Sequence, residues 1–560
     1  MEYGLQNVIC QNCKLKFTVE PEDFKFYEKI DVLVPSICPT CRAQLRLSFR
    51  NERCFYKRPC DKCRKDKISM YSPNKPYTVW CYDCWFSDDW NALDYGLIYD
   101  SGKPFLDQYN NLLKTVPKIS LIYVRSPGSQ YTNISADNKN CYMLVESSNN
   151  ENCLNCYWIQ VSKDLVDCSF TNKVELSYEV DDCYDCNNLK FSKGCHSCLD
   201  SVFLLDCRNC SNCFGCVNLR GQKYNIFNVS HTKDEYKKFI KERKLDTESG
   251  IKKAQEEFKE FISKNPRKYA EIIQGVNSTG NYIKSSRNCK NCFHCYDSED
   301  CKHGVHTWRD AKECFDVDTA GRNAELIYNS INSGIETSHQ ISSNLCWSST
   351  FSYYSTYCFN CNNILGCVGL RKKDYCILNK QYTKEEYEKL KIKIISKMKE
   401  KEEWGNFFPS SISSFGYNET AAYEQFPLKK EEAIALGFKW EDTERGTYGK
   451  ETIDWKSFPD SINNLPKDFD VVKEVFICLE CRKNYRIIID ELSFYKKLEI
   501  PIPRICPECR HVKRFENRGP NKLWHRKCMK EGCQNEFKTS YAPDRLEIVY
   551  CEKCYQREVY

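Results

Sequence analysis

Pairs of cysteines that enclose two residues recur along this chain of 560 residues, which contains 39 cysteines. Such a pair on a tight turn offers two thiolates to one metal ion, and a second pair completes a tetrahedral site. Two sets of paired cysteines lie near each end of the chain, with 17 or 24 residues between the pairs of a set. The predicted metal ligands are Cys10, Cys13, Cys38 and Cys41; Cys60, Cys63, Cys81 and Cys84; Cys478, Cys481, Cys506 and Cys509; and Cys528, Cys533, Cys551 and Cys554.

Two irregularities accompany these sets. Cys528 and Cys533 enclose four residues instead of two, a longer turn that zinc geometry tolerates. Cys54 has no partner, because Trp524 stands at the corresponding place near the other end, and we expect it to be a free thiol. Zinc is favoured over iron because Lys14 and Arg42 follow the cysteine pairs at the place where rubredoxin has glycine.

The two ends of the chain are copies of one another. The segment FYEKIDVLVPSICPTCR, which ends at Arg42, matches FYKKLEIPIPRICPECR, which ends at Arg510, at an offset of 468 residues. The interior is duplicated as well, because GCVNLRGQKYNIFNVSHTKDEY from Gly215 matches GCVGLRKKDYCILNKQYTKEEY from Gly366 at an offset of 151. These repeats predict two terminal modules of about ninety residues that enclose two related interior domains.

The interior cysteines follow a period of three residues. All twelve cysteines from Cys141 to Cys216 lie at multiples of three, and nine of the ten in the second repeat share one frame, with Cys314 as the exception. This period fits neither an α-helix nor an isolated strand. It suits a narrow β-solenoid whose coils have about twelve residues and four inward positions. The geometry resembles the beetle antifreeze solenoid, although the disulfides of that fold are not implied here.

Cysteine suits so narrow a core because it is small, apolar and commonly buried. A metal-binding alternative stays open, in which stacked pairs hold a further ion. The pairs that offer the best example are Cys195, Cys198, Cys207 and Cys210. The second repeat has Ser349 where the first has Cys198, which counts against a site common to both copies.

Each interior repeat ends in a helix signal. Thr232 with Glu235, and Thr383 with Glu386, form the Thr-x-x-Glu pattern of a capping box. Residues 404–470 indicate a linker with one short helix before Gly437. We predict a mainly β fold with helices, in which four zinc ribbons flank two narrow parallel β-solenoids, each followed by α-helices. The predicted domains are a double zinc ribbon at 1–90, a helical connector at 91–120, the first solenoid at 121–230, a helical insert at 231–275, the second solenoid at 276–381, a helix at 382–403, the linker at 404–470 and a second double ribbon at 471–560.

Cellular location is also constrained by the sequence. No run approaches the roughly 20 apolar residues that span a bilayer, so we expect no membrane segment. The N-terminal sequence MEYGLQNVICQNC lacks the basic and apolar regions of a secretory signal. A long chain with an odd number of cysteines does not suggest a disulfide framework. We therefore expect a cytoplasmic protein with reduced thiols.

Basic residues concentrate at corresponding places in the two terminal modules. Ten Lys or Arg stand against three acids between Arg42 and Lys67, and eight stand against one between Arg510 and Lys530, a net charge of +7 in each stretch. Cations among aromatic residues can hold phosphates and stack bases, although an ordinary solvated face is the alternative. The predicted nucleic-acid-binding residues are Arg42, Arg46, Arg50, Arg53, Arg510, Lys513, Arg514 and Arg518.

The terminal modules, with their four cysteine sets, resemble the zinc-ribbon superfamily over about ninety residues at each end. The whole layout resembles uncharacterised cysteine-rich zinc-ribbon proteins predicted from genomes of ultra-small uncultured bacteria, a resemblance that implies no function. We expect a scaffold that is not an enzyme, that holds about four Zn²⁺ ions, and that binds RNA, DNA or a ribonucleoprotein. The alternatives are an adaptor that binds protein partners on the solenoid faces, or a thiol redox or metal-buffering protein. The zinc sites could also serve folding alone.

Overall fold

The computed structural model describes residues 4–129, 131–305, 315, 318–320, 328–329, 331–334 and 338–560. Over these residues the fold is mixed, with twelve α-helices and many short strands in small sheets. Within the same ranges, no helix is long and apolar enough to cross a lipid bilayer.

The N-terminal part contains two antiparallel hairpins and four helices. Cys38 and Cys81 are the N-cap residues of two of these helices. Pro39 occupies the first position after Cys38, where its missing N–H costs no helical hydrogen bond. The elements are β1 (Gln6–Ile9), β2 (Lys16–Val19), α1 (Pro21–Lys29), α2 (Pro39–Leu47), β3 (Tyr56–Pro59), β4 (Asp66–Ser69), β5 (Val79–Trp80), α3 (Tyr82–Phe86), a 3₁₀ turn at Ala92–Tyr95, α4 (Phe105–Thr115) and β6 (Lys118–Ile119).

A parallel ladder occupies the described residues between 123 and 226 and is called the first ladder below. Residues pair with residues twelve positions later, as Tyr157 does with Ser169 and Val202 with Phe214, so each twelve-residue segment stacks on the one before it. Isolated bridges continue the same offset between the strands. The strands are β7 (Tyr123–Val124), β8 (Ser135–Ala136), β9 (Tyr157–Gln160), β10 (Lys163–Val166), β11 (Ser169–Asn172), β12 (Glu175–Asp181), β13 (Asn187–Lys193), β14 (Leu199–Leu205), β15 (Phe214–Val217), β16 (Asn225–Ile226) and an antiparallel closing strand, β17 (Val229–Ser230).

Left-handed residues recur at every third position of the first ladder. Asn152 and Asn155 have φ of 53° and 55°, and each precedes a buried cysteine. Asn, Asp and Gly adopt this conformation most readily. Eleven of the twelve cysteines in this ladder follow one of these three residue types, and Ser197 precedes the twelfth. The left-handed residue turns the chain so that the next side chain points into the core.

Cysteine and serine play equivalent roles at the inward positions. The thiol of Cys141 donates to the carbonyl of Lys139 at 3.3 Å, and its sulfur accepts the N–H of Cys153 at 3.4 Å. The hydroxyl of Ser147 donates to the carbonyl of Val145 and accepts the N–H twelve residues later, in the same pattern. A small side chain that both donates and accepts therefore satisfies backbone groups inside the ladder.

Two amphipathic helices follow the first ladder. The predicted capping box at the first of them is confirmed, because Thr232 and Glu235 each bond to the other's backbone N–H. The helices pack against the ladder through apolar side chains that include Tyr236 and Phe258. They are α5 (Lys233–Glu242) and α6 (Glu248–Ser263).

The second ladder occupies described residues between 272 and 377 and also pairs in parallel, as Gly280 does with Cys292 and Thr350 with Asn362. The capping box of Thr383 and Glu386 is confirmed at the start of the helix that follows it. The elements are β18 (Arg267–Lys268), β19 (Ile272–Ile273), β20 (Gly280–Lys284), β21 (Cys292–Tyr296), β22 (Asp318–Ala320), β23 (Ile331–Gly334), β24 (Ser338–Ile341), β25 (Thr350–Tyr353), β26 (Asn362–Leu365), β27 (Asp374–Ile377), the antiparallel β28 (Lys380–Gln381) and α7 (Lys384–Glu400).

Part of the second ladder has longer repeats. Bridges join Lys302 to Phe315, Phe315 to Tyr328 and Tyr328 to Ile341, an offset of thirteen residues at each step. Each of the three steps is one residue longer than the usual twelve, so together they add three residues. An addition of three leaves the period of three unchanged, which explains why the cysteines before and after this stretch share one frame. Cys314, the exception in the sequence, lies outside the described residues.

The predicted linker contains two short helices rather than one. The second of them ends before Gly437, as expected, and this glycine has φ of 80°. Tyr417, Ala422 and Ala433 form a small core with Leu47 of α2, so the segment packs on the N-terminal part. The elements are 3₁₀ turns at Ser410–Ile412, Tyr417–Glu419 and Ile462–Asn464, with α8 (Ala421–Gln425) and α9 (Lys430–Ala435).

The C-terminal part repeats the N-terminal arrangement of hairpins and helices. Cys506 and Cys551 are N-cap residues, and Pro507 takes the place that Pro39 has in α2. The elements are β29 (Phe476–Ile477), β30 (Asn484–Tyr485), α10 (Ile489–Leu498), α11 (Pro507–Arg518), β31 (Trp524–Lys527), β32 (Glu536–Thr539), β33 (Val549–Tyr550) and α12 (Glu552–Val559).

The two terminal parts contact the ladders in a related way. β5 pairs with β6 before the first ladder, while Trp85 of α3 packs edge-on against Phe359 near the end of the second. β33 pairs with β18 before the second ladder, while the hydroxyl of Tyr555 in α12 bonds to Asp206 and Asn218 near the end of the first. Each terminal part therefore joins the start of one ladder to the end of the other.

Candidate metal centres and the buried arginines

The sixteen cysteines predicted as ligands lie in four groups of four. Within each group the four sulfur atoms lie within 4.8 Å of one another. The longer turn of the last set does not separate its members, since Cys528 lies with Cys533, Cys551 and Cys554. Cys54 is buried outside these groups, and its N–H donates to the Oδ1 atom of Asn51 at 2.9 Å.

The first group shows how the backbone arranges the sulfur atoms. Cys10 and Cys13 lie on the turn between β1 and β2, and Lys14 follows in the left-handed conformation with φ of 60°. The N–H of Lys14 donates to the carbonyl of Cys10 at 3.0 Å, which closes the turn. The N–H of Cys38 donates to the sulfur of Cys10 at 3.2 Å, and the sulfurs of Cys13 and Cys38 are 3.8 Å apart.

An equivalent hydrogen bond from a backbone N–H to a sulfur occurs in each of the other groups. The N–H of Cys81 donates to the sulfur of Cys60 at 3.2 Å, that of Cys506 to the sulfur of Cys478 at 3.3 Å, and that of Cys551 to the sulfur of Cys528 at 3.3 Å. In all four groups the donor is the N-cap of a helix, whose positive end stabilises a thiolate. Burial opposes ionisation of Cys60, but the N–H groups of Cys63 and Cys81 outweigh it and lower the pKa of Cys60 to about 7.

Each group of four could hold a metal ion, because four thiolates supply the donor set of a closed tetrahedral site. A group of three, formed by Cys289, Cys295 and Cys301 inside the second ladder, could also hold one. The stacked set of Cys195, Cys198, Cys207 and Cys210, proposed as an alternative site, does not form a group of this kind among the described residues.

The predicted nucleic-acid-binding arginines of the N-terminal part are buried. Arg42 and Arg46 lie on α2, and the guanidinium of Arg42 donates to the carbonyl of Ile37 at 2.6 Å. Arg46 is 0% exposed and is paired with Asp318 of the second ladder at 3.5 Å. Arg50 follows the helix and is paired with Glu146 of the first ladder. The remaining arginine of this set, Arg53, is paired with Glu508 at 3.3 Å.

The corresponding arginines of α11 are also buried. Arg510 is paired with Asp167 of the first ladder at 2.7 Å, and Arg514 approaches the same carboxylate at 3.4 Å. Arg510 also reaches Glu491 of α10 at 3.0 Å. Lys513 differs, because its side chain is 48% exposed. This helix therefore presents its arginines to the ladder and its lysine to solvent.

Arg518 contacts both ladders. Its guanidinium lies 3.7 Å from the ring centre of Phe170 in the first ladder and 3.8 Å from that of Tyr282 in the second. It donates to Asp181 at 2.9 Å, and it lies at the same distance from the Nδ1 atom of His294. Stacking and ion pairing together hold this guanidinium between the two ladders, which are far apart in the sequence.

These contacts leave little of the predicted nucleic-acid-binding arginines accessible to a nucleic acid. Of the eight residues named from the sequence, the seven arginines are buried or nearly so and are engaged with protein groups, and Lys513 alone has a substantially exposed side chain. The physical reason is that five of the seven arginines meet carboxylates of the ladders that lie far away in sequence, which are Glu146, Asp167, Asp181 and Asp318. A count of local charge cannot reveal a carboxylate that folding brings from another domain.

Comparisons with known proteins add little. No protein-family description matches this chain, and no curated protein does. A search of solved structures returns a crystal structure of a proposed acetyltransferase from Desulfovibrio desulfuricans G20, at 11% identity and a TM-score of 0.10. The match covers 44% of this chain and 64% of that one, which is less than two thirds of its length. A similarity this low carries no argument about fold or activity.

Proposed function

We propose that this protein is a scaffold without enzymatic activity, in which four zinc ions hold two narrow β-solenoids together. In this proposal the four hairpin and helix units are zinc ribbons, and each parallel ladder is a solenoid. The supporting observation is that the metal ligands and the buried arginines share helices. Cys38 and Cys41 begin α2, which carries Arg46, and Cys506 and Cys509 begin α11, which carries Arg510.

Zinc suits these sites better than other ions do. Four sulfur donors and no oxygen or nitrogen donor make a closed structural site, which is typical of zinc. Each unit has only a short hairpin and one or two short helices, too little core for stable folding alone, so the binding free energy of the metal becomes folding free energy. A zinc ion would thus fix the helix that places its arginines against the ladders.

Three buried thiols near the end of the second ladder give little support to redox activity. Burial raises the pKa of Cys361 and Cys376 to about 12, and it raises that of Cys367 well above its ordinary value. Reactive cysteines require a thiolate that reagents can reach. These three thiols meet neither condition, and they bond to backbone carbonyls instead.

Binding of RNA, DNA or a ribonucleoprotein is the second candidate function, and it depends on lysines rather than on the arginines. Lys57 on β3 and Lys527 on β31 occupy related hairpins and are 72% and 73% exposed at the side chain. The Nζ atom of Lys57 lies 3.0 Å from the carboxylate of Asp66, and that of Lys527 lies 3.4 Å from the carboxylate of Glu536. Retention of RNA or DNA that falls steeply as salt rises would support this function. Absence of binding at low salt would remove it, and a partner that survives nuclease and high salt would indicate a protein adaptor.

Elemental analysis of the purified full-length protein tests the zinc proposal. We expect about four zinc ions per chain and one fewer in Cys41→Ser, because a thiolate of the first group is lost. Cys54→Ser is the matched control, since this buried cysteine lies outside the groups. It should keep all the zinc. Equal zinc content in the two variants, or iron in place of zinc, would contradict the proposal.

A further inference from the structure

Three cysteine side chains converge inside the second ladder. The sulfurs of Cys289, Cys295 and Cys301 all lie within 4.8 Å of one another, and the thiol of Cys295 is 3.4 Å from the sulfur of Cys289. None of the three residues is more than 1% exposed. Cys292 interacts with Cys289 and Cys295 but is not a member of the group of three. The arrangement is a small cluster of sulfur atoms that solvent does not reach.

The first ladder shows that a coil of this size does not need three cysteines at these places. At the offset of 151 residues, the corresponding positions hold Asn138, Leu144 and Asn150. There the side-chain amide of Asn150 donates to the Oδ1 atom of Asn138 at 2.9 Å, so the space is filled without sulfur. A coil can therefore be built without cysteine at these three positions. The thiols of Cys289 and Cys301 also donate to backbone carbonyls, as other inward cysteines do, so the distinguishing feature of the three is that their sulfurs converge.

Inward cysteines alone do not produce such a cluster either. The first ladder contains twelve of them, all buried, and all twelve belong to the described residues. No three of these described sulfurs come together within 4.8 Å. Convergence of three sulfurs is thus a particular property of the coil that begins near Cys289.

We propose that Cys289, Cys295 and Cys301 bind one Cu(I) ion. The group contains three sulfur donors and no nitrogen or oxygen donor, and soft thiolates favour Cu(I). A zinc ion would need a fourth ligand, usually water where the protein supplies only three, and this site is buried. Each thiol that binds as a thiolate releases one proton to solvent, and the copper keeps its charge of +1 throughout.

Anaerobic titration of the full-length, zinc-loaded protein with Cu(I), in competition with bicinchoninate, tests this assignment. We expect one Cu(I) per chain to resist the chelator, and we expect this first equivalent to release no zinc. The proposal rests on the proposed function only in that the terminal groups hold zinc. Zinc content is measured before copper is added, so a failure of the zinc proposal is seen separately from a failure of the copper site.

Substitutions locate the bound copper. Cys295→Ser should lose the retained copper, because only two of the three sulfur donors remain. Cys361→Ser is the matched control in the same ladder. A serine already occupies the inward position one coil earlier, where the hydroxyl of Ser349 donates to the carbonyl of Trp347 and accepts the N–H of Cys361, each at 3.0 Å. The Cys361→Ser variant should retain one copper. Cys295→Leu, which copies Leu144 of the first ladder, is a second variant should the serine variant not fold.

Several results would overturn the copper site. These are a wild-type protein that yields all its copper to the chelator, a first equivalent that displaces zinc, and equal retention by Cys295→Ser and Cys361→Ser. X-ray absorption of the wild-type complex provides a readout that needs no variant. Three sulfur neighbours around copper are expected, and two or four would contradict the assigned ligands.

Discussion

The terminal and interior cysteines share the same spacing but have different surroundings. At the ends, Cys10 and Cys13 are followed by the left-handed residue Lys14, and their sulfurs turn toward one point. In the first ladder, the left-handed residue precedes each cysteine, as Asn155 precedes Cys156, and the thiol of Cys156 donates to the carbonyl of Leu154, two residues earlier. The same position is left-handed after Cys63 and Cys481, at Arg64 and Arg482, whereas in the last group the left-handed Gly532 precedes Cys533. In three of the four groups, the position of one left-handed residue thus separates the turn of a candidate metal site from a core position with the same sequence spacing.

The largest expected difference in stability is between a variant that removes a sulfur from a terminal group and one that removes a sulfur from a ladder. Cys509→Ser should lose one metal ion and unfold its unit, because structural zinc contributes about 10–16 kcal/mol of apparent binding free energy in small modules. Cys361→Ser should cost about 1 kcal/mol, since a serine can make the same backbone bonds. Thermal unfolding with zinc analysis measures both. Similar destabilisation by the two variants would remove the distinction between the classes.

A smaller effect is expected at α11, which begins at one of the four-cysteine groups and contacts the first ladder. Arg510→Met leaves the buried carboxylate of Asp167 without its closest cation, which should cost about 3–5 kcal/mol. Lys513→Met on the same helix removes an exposed charge near Glu480 and should change stability by about 1 kcal/mol or less. Urea unfolding of the two zinc-loaded variants makes the comparison. If Lys513→Met proved the more damaging variant, α11 would not dock through its arginines.

The smallest expected effect tests the left-handed residues themselves. Asn209 precedes Cys210, has φ of 53° and is exposed, so substitution changes the backbone preference with little loss of packing. Asn209→Val should cost about 1–2 kcal/mol, because a branched side chain is strained in this conformation. Asn209→Gly should cost less, since glycine adopts it freely. Thermal unfolding of the two variants should therefore rank glycine above valine, and the reverse order would contradict this account of the ladder.

Local features of the sequence predicted much of what the structure shows. The capping boxes at Thr232 and Thr383 are confirmed, because a cap involves only residues within one helical turn. Left-handed residues at every third position explain why a period of three is visible in the interior cysteines. The Asn, Asp and Gly residues before the cysteines also indicate left-handed positions, which the period of three alone does not reveal. The stretch with thirteen-residue steps was visible in the sequence only through Cys314, because three such steps return the cysteines to one frame.

The partners of the buried arginines were decided by the tertiary structure. The sequence by itself determined that cysteine sets recur at both ends and that basic residues follow them. It did not determine that Arg510 meets Asp167, or that Arg518 lies between Phe170 and Tyr282. Spacing along the chain sets the geometry of a turn or a cap, because the backbone connects the partners directly. An ion pair across domains depends on how whole ladders and helices pack, and local charge is the same whether a side chain faces solvent or a buried carboxylate.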